Sequence, residues 1–474
     1  MSHHPLACIL SPDLLRKLAL ESTDEHRPAI LQTLELDHSF RLRRAEVVAR
    51  QTARPLGAMS VGVGGTPNRS IYDQEHSTST TPGTLVRKEG QAKVSDASVN
   101  QAYDGFGYTY KLYWDIFHRD SIDDQGMPIE GLVHYGDAYD NAFWDGAGHM
   151  FFGDGDGQLL TDTTKGLDVI GHELTHGVTQ HEANLTYSGQ SGALNESISD
   201  VFGSLVKQYH KKQTAAKADW LIGKDIVGPK LAPALRSMKA PGTANQYDDQ
   251  PSDMDHYVHT SADNGGVHTN SGIPNHAFYV TATTLGGKAW EAPGNIWYDA
   301  LLDPKLTPAT TFTLFAGVTL RHARSRYGTT SKELRPCKRA GKPSRSGSAD
   351  SRGRHLGPVR PGHLRPAGPW RQWCRGVLVK VKLVRSGGIA GLNMVATVDS
   401  ADLPKDQQEI VSTLLTKDLR GSGVSRPGGA DQFSYQLEIQ HGGQTVRRQW
   451  DDPEVHETVR PLLAALTRQA TPTR

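Results

Sequence analysis

Cysteine is almost absent from this 474-residue chain, which carries only Cys8, Cys337 and Cys374. None lies between residues 9 and 336, so a disulfide framework is excluded there, and packing, with or without a metal, must stabilise that stretch. Long apolar runs are missing too. No segment approaches the roughly 18 apolar residues of a membrane-spanning helix, and no membrane partner is expected. The opening MSHHPLACILSPDLL lacks a basic start and has a short apolar run before Ser11-Pro12, unlike a secretory signal. Leu6-Ala7-Cys8 lies too near Met1 to be a lipoprotein site. Net charge is also scarce, with 52 Lys+Arg against 51 Asp+Glu, and gives no argument for nucleic acid as a partner.

That balance hides an uneven distribution. Residues 335–375 hold nine Arg and two Lys against one acid, Asp350, so the rest of the chain is acidic. Rich in Pro and Gly and without aliphatic periodicity, this segment cannot build a core. Just before it, Thr330-Ser331-Lys332-Glu333 has the capping-box pattern that opens a helix, yet Arg335-Pro336 follow and no apolar stripe appears. Two readings fit: a shifted reading frame that removed a last helix and fused a downstream gene, or a basic linker that binds anions.

Elsewhere the residues are patterned. Helical spacing over 13–20 and 28–50 precedes a Gly/Pro/Ser/Thr-rich stretch, broken by the strand-like Ser70-Ile71-Tyr72, which suggests a removable or hinged N-terminal unit. Short aromatic runs punctuated by glycine up to about residue 156 predict a β-rich lobe with one helix over 100–117. Val169, Ile170, Leu174 and Val178 then bring helical spacing and predict an α-rich lobe. Toward the end, Val381 and Leu383, and again Leu437 and Ile439, sit on alternating strands, while Pro404 and Pro453 open amphipathic helices. That is a small α+β domain of ββαββα order. The expected divisions are 1–52, 53–166, 167–334, 335–375 and 376–474.

The strongest chemical signal is His172-Glu173-Leu174-Thr175-His176 within a helical pattern. Imidazoles four residues apart share one helical face and can reach one Zn2+, with Glu173 aimed at water beside it. Two ordinary helix histidines are the plainer reading. The next helix decides between them: Glu196 can supply a third ligand, and Asp200, four residues on, can accept a hydrogen bond from the outer nitrogen of a ligand histidine.

HELTH followed by NESISD resembles the thermolysin family of neutral metalloendopeptidases, and the resemblance extends over about 71–330. Residues 263–272, DNGGVHTNSG, are similar to the family's segment bearing a second catalytic histidine; Asn141-Ala142-Phe143-Trp144 resembles its substrate-binding edge strand, and Leu235-Arg236-Ser237-Met238 its primed-side wall. The resemblance implies a two-lobed α+β fold with a zinc cleft, and hydrolysis of internal peptide bonds. It implies Glu173 as general base, His268 and Tyr187 as donors to the oxyanion, and Asp263 as the partner that orients His268. Asn141 and the Ala142 backbone would hold the substrate extended. Arg236, Val169 and Leu235 would shape a pocket for bulky hydrophobic residues after the cut. A core aromatic for Tyr187, a surface ion pair for Arg236 and a turn former for Asn141 are the plainer alternatives. Secretion is implied too, although the missing signal leaves cytoplasmic retention open.

Several features depart from the family. Where its long members hold a double calcium site, Asp168 and Asp219 are kept but Lys207, Leu221 and Lys224 replace other acids, so no Ca2+ is expected there. Gly153-Asp154-Gly155-Asp156-Gly157 is expected to be a structural turn. The short N-terminal helices resemble the protealysin-like branch and imply an intramolecular inhibitor removed near residues 50–70, with Cys8 as a buried apolar residue in preference to a zinc ligand. Arg385-Ser386-Gly387-Gly388-Ile389-Ala390-Gly391 and Arg460-Pro461-Leu462-Leu463 resemble emfourin, an inhibitor of protealysin-like enzymes. The expected partners are therefore peptide and protein substrates, the chain's own pro-segment and its own C-terminal domain. An inactive or self-inhibited fusion is the alternative function, and a zinc exopeptidase is the weakest, since nothing marks a site for a free substrate terminus.

Overall fold

The computed structural model describes residues 7–22, 25–51, 64–328, 380–387, 393–400, 403–416, 433–441, 444–451 and 455–473. They fall into two compact units, Met1–Arg371 and Gln372–Arg474.

The first unit opens with strand β1 (Ala7–Cys8) and helices α1 (Pro12–Glu21) and α2 (Arg27–Gln51). Ser11 starts α1: its Oγ accepts from Leu14 N at 3.1 Å, and Pro12 sits where a helix has no use for its missing N–H. The next strands are β2 (Arg69–Asp73), β3 (Thr84–Lys88), β4 (Ile129–Val133), β5 (Ala142–Trp144) and β6 (His149–Phe152). Together with β1 they form a six-stranded sheet ordered β1-β5-β6-β4-β2-β3. Here β1 runs antiparallel to β5, with Ala7 opposite Trp144 and Cys8 opposite Phe143. Helix α3 (Ala97–Phe117), capped by Asp96 through Val99 N at 3.1 Å, links this lobe to the helical one and buries Tyr113 and Phe117 against Phe202 and Tyr298.

The helical lobe is built on α4 (Leu167–His181) and α5 (Gly189–His210), each buried along most of its length. Their close approach depends on Gly203, where a Cβ would lie 2.3 Å from Asp168 O and 2.9 Å from His172 N. That approach carries Glu196 and Asp200 to the histidine face of α4. Short strands β7 (Leu221–Ile222) and β8 (Arg236–Ser237) pair antiparallel beside them. Helix α6 (Asp263–Asn270) begins with a left-handed turn, φ 52°, 87° and 76° at Asn264, Gly265 and Gly266, which two of the three residues adopt without a Cβ penalty. Helices α7 (Gly272–Leu285), α8 (Ala292–Leu301) and α9 (Phe312–Tyr327) are the lobe's remaining helices among the described residues.

The second unit is a five-stranded antiparallel sheet, β12-β11-β9-β10-β13, made from β9 (Lys380–Gly387), β10 (Asn393–Asp399), β11 (Phe433–His441), β12 (Gln444–Asp451) and β13 (Thr471–Thr473). Helices α10 (Lys405–Thr416) and α11 (Arg460–Gln469) share its core, in which Val381, Leu383, Leu437 and Ile439 meet Val411, Leu414, Leu462 and Leu466. The expected ββαββα order is present with one strand more, β13, too short and polar to give a period-2 signal. The capping-box segment at 330–333 and the basic stretch 335–375 lie outside the described residues.

Candidate zinc centre and peptide cleft

His172 and His176 are fully buried on α4, and their Nε2 atoms face each other at 3.0 Å. Each ring is oriented from behind. His172 Nδ1 donates to Asp200 Oδ1 at 2.8 Å, and His176 Nδ1 donates to Asn195 Oδ1 at 2.8 Å with Ser199 Oγ at 3.0 Å. With the protons on Nδ1, both Nε2 lone pairs point at one spot. Glu196 closes it from α5, 3.6 Å from His172 Nε2 and 3.5 Å from His176 Nε2. His172, Glu173 and His176 also offer ligand atoms all within 4.8 Å of one another. Glu196 Oε2 and both oxygens of Glu173 are buried without a hydrogen-bond partner. Converging lone pairs and orphaned carboxylate oxygens in a dry site fit a divalent cation, and the two-histidine, one-carboxylate donor set fits zinc. Burial first, then the Glu196 carboxylate, push the Glu173 carboxyl well above its usual range.

Asp200 is the hub behind the ligands. Besides His172 it accepts Arg236 Nε at 3.0 Å and Nη2 at 2.8 Å, and Asn275 Nδ2 at 2.8 Å. Burial alone would raise its carboxyl, but Arg236 and His172 hold it far below the ordinary range, and it stays ionised. Around the rim, Tyr187 OH bonds to Glu196 and lies 3.3 Å from His268 Nε2. Burial, reinforced by Glu196, pushes the phenol up, so it remains a donor. His268 donates from Nδ1 to Asp263 Oδ1 at 2.7 Å. Against the lowering effect of burial, the carboxylates of Asp263 and Glu196 lift His268 to about 9.

The N-terminal segment lies in the cleft. His268 Nε2 donates to the Cys8 carbonyl at 2.9 Å, Arg236 Nη1 to the Ile9 carbonyl at 3.0 Å, and Ile9 N to Ala142 O at 3.2 Å. Leu10 is held on both sides by Asn141, which accepts Leu10 N at 3.1 Å and donates Nδ2 to Leu10 O at 3.3 Å. The Cys8 thiol donates to Leu10 O at 3.0 Å and packs among Phe40, Tyr139 and Phe143, the buried apolar environment expected of it. A cavity of about 260 Å³ remains beside the segment, lined in part by Leu10, Leu14, Leu235 and Tyr247.

Of the residues singled out from sequence, His172, His176, Glu173, Glu196, Asp200, Tyr187, His268, Asp263 and Arg236 converge here. Asn141, just before β5, and Ala142, its first residue, line the same cleft, and Leu235 neighbours it. Val169 is fully buried on α4. Asn195, Ser199 and Asn275 went unnoticed. Asn195 and Ser199 stand four apart on α5, the spacing that revealed Asp200, whereas Asn275 joins only through tertiary packing.

Family models agree with this geometry. The thermolysin metallopeptidase catalytic domain matches residues 62–180 and the alpha-helical domain 183–342. An "Extracellular metalloprotease" of Pectobacterium carotovorum subsp. carotovorum is 46% identical over 342 residues, covering 70% of this chain and 95% of the relative. The chain belongs to the thermolysin family. It is a metalloendopeptidase, and its C-terminal unit matches emfourin over residues 383–467. Among further members, "Protease PrtS" of Photorhabdus sp. (strain Az29) is 44% identical over 67% of this chain and 87% of its own. Among solved structures, "Precursor of Protealysin, Metalloproteinase from Serratia proteamaculans" aligns with TM-score 0.62 and 46% identity, covering 69% of this chain and 96% of that one.

Proposed function

We propose that the chain is a latent, secreted zinc endopeptidase that cuts before bulky hydrophobic residues and is made with its inhibitor segment in place. The convergence of His172, His176 and Glu196 beside the orphaned Glu173 carboxylate carries this reading. These three residues would hold the ion and leave a coordination position open. When bound, Zn2+ supplies Lewis acidity toward the scissile carbonyl and toward water. Glu173 takes the proton of the attacking water and hands it to the departing amine. His268, kept cationic by Asp263, and the Tyr187 hydroxyl donate to the carbonyl oxygen as it gains charge. Asn141, Ala142 O and Arg236 align an extended chain, and the pro-segment already uses the same atoms. Ile9, fully buried next to Arg236, supports the hydrophobic preference.

Residues 1–52 then act as the pro-segment, 53–166 and 167–334 as the two peptidase lobes, 335–375 as linker or frame-shifted segment, and 376–474 as a fused inhibitor domain. Secretion is supported by the extracellular naming of relatives. Calcium is replaced at the α4–α5 junction by Lys207, whose Nζ lies 2.7 Å from Asp168 Oδ2 and from Leu221 O and 3.5 Å from Asp219 Oδ1.

A quenched internal peptide with a hydrophobic residue after the cut, offered to the matured protein, tests this. Glu173→Gln should abolish turnover while zinc stays bound; turnover at the parent rate would sink the mechanism. Deleting residues 376–474 should raise activity if that domain inhibits its own enzyme, which is what the self-inhibited alternative requires.

A further inference from the structure

Asp140 is completely buried one residue before the peptide-holding Asn141, yet it takes no part in the chemistry above. Its Oδ1 accepts Asp156 N at 2.9 Å and Leu160 N at 3.1 Å, while Asp156 Oδ1 accepts Gln158 N at 2.7 Å and Leu159 N at 2.8 Å. One oxygen on each side chain is left: Asp140 Oδ2 and Asp156 Oδ2 are both buried without a donor. The two residues are direct neighbours, since Asp156 N bonds Asp140 Oδ1, and the Asp156 charge acts on the Asp140 carboxyl. Two anions cannot share so dry a place, and each orphaned oxygen lacks one thing only, a proton between them. A cation fits less well, because the other two oxygens are committed to four backbone N–H groups and a Ca2+ ion needs roughly six to eight oxygens.

We propose that Asp140 and Asp156 share one proton, and that this proton positions the strand by which the cleft holds a peptide chain. The route is short. Asp140 N donates to Thr33 Oγ1 of the pro-segment at 3.1 Å, and Asn141, next in the chain, clamps Leu10 and donates Nδ2 to Asp37 Oδ2 at 3.0 Å. Without the shared proton, the like charges of Asp140 and Asp156 repel and the start of β5 is pushed off the loop at 153–160. The ordered grip of Asn141 on the pro-segment is lost with it. Burial first, then the Asp156 charge, lift the Asp140 carboxyl to about 8, which puts the event near neutral pH.

Other charged groups around the pair are engaged elsewhere. Asp37 of α2 also accepts Tyr139 OH at 2.5 Å, Asp154 of the same loop holds His134 at 2.9 Å and through it Asp96, and Lys230 bonds Ser22 with its side chain and Gln158 O with its N–H. Asp140 is thus a positioning residue. The proposal takes from the function above only that Asn141 holds the peptide, an arrangement visible in its contacts with Leu10.

The test uses the full chain carrying Glu173→Gln, with trypsin cleavage of the pro-segment followed between pH 7 and 9. Ionisation centred near 8 takes the deprotonated fraction from about 9% to about 91%, so cleavage should quicken about tenfold beyond trypsin's own pH response. In Asp140→Asn the amide donates permanently to Asp156 and the extra rise should vanish; Asp156→Asn does the same from the other side and covers failure of the first variant to fold. An equal rise in parent and variants, or no rise in the parent, overturns the proposal. Pro-segment loss without trypsin is scored separately and counts against the role of Glu173, not against the shared proton.

Discussion

The Cys8 carbonyl oxygen accepts the His268 Nε2 proton at 2.9 Å, so the donor we propose for a substrate oxyanion is spent on the chain's own N-terminal segment. Arg236 and Asn141 hold the next two residues in the same way. Ile9 is the anchor of this contact, with no exposed surface. Ile9→Asp would force a carboxylate into this fully buried position, beside an Arg236 whose charge is already paired with Asp200. The uncut variant should hydrolyse peptide at least about tenfold faster than the uncut parent, a shift of about 1.4 kcal/mol in pro-segment binding. Unchanged latency would mean that the segment is held by α1 and α2 alone.

Asp200 connects His172, Arg236 and Asn275 without facing the ion. In Asp200→Asn one oxygen becomes a donor and Arg236 loses its buried counter-charge. Zinc affinity should fall about 10- to 100-fold, read by equilibrium dialysis. Asn275→Ala leaves the charge in place, and its effect on zinc should be the smaller of the two.

These relations differ in how far the chain itself announces them. The zinc helix declares itself because a period of 3.6 converts i and i+4 into one face, and the same arithmetic on α5 picks out Glu196 and Asp200. Cleft residues from β5, β8 and α6 carry no such local signal; their part in the site comes from matching family motifs, since Asn141, Arg236 and His268 meet only through sheet order and the left-handed turn at 264–266. Least legible is the Asp140–Asp156 pair. Asp154 and Asp156 read as a structural acidic turn, and only the tertiary bond from Asp156 N to Asp140 Oδ1 makes Asp156 the neighbour of a buried acid.

Charge also couples folding to pH at the opposite end of that loop. His134 Nδ1 donates to Asp154 at 2.9 Å and Nε2 to Asp96 at 3.0 Å; the Asp154 bond, opposed by burial and aided by Asp96, lifts the imidazole to about 9. Unfolded, the same histidine titrates near ~6.5. The stabilisation is therefore fully present below that value and is lost as pH rises through about 9. The urea midpoint of the parent should fall across this window relative to His134→Gln. With the ring still partly solvated, the difference should be about 1–2 kcal/mol.

Lys207 makes the last case, because its ammonium stands among Asp168, Asp219 and the Leu221 carbonyl, all oxygen donors of the kind a calcium ion collects. Burial works against the charge, but Asp168 and Asp219 raise the lysine above its ordinary value, so it stays cationic. An internal ammonium cannot be removed by chelation, and the melting temperature of the parent should not respond to millimolar Ca2+. Lys207→Ala would strand Asp168 and destabilise by about 3–5 kcal/mol, an outcome that any buried ion pair gives. Lys207→Glu is the sharper variant. It places a third carboxylate beside Asp168 and Asp219, so it should be less stable than Lys207→Ala without added metal and should recover several degrees in Ca2+. A parent that melts higher in Ca2+, or a Lys207→Glu chain indifferent to it, would refute the exchange of metal for lysine at this junction.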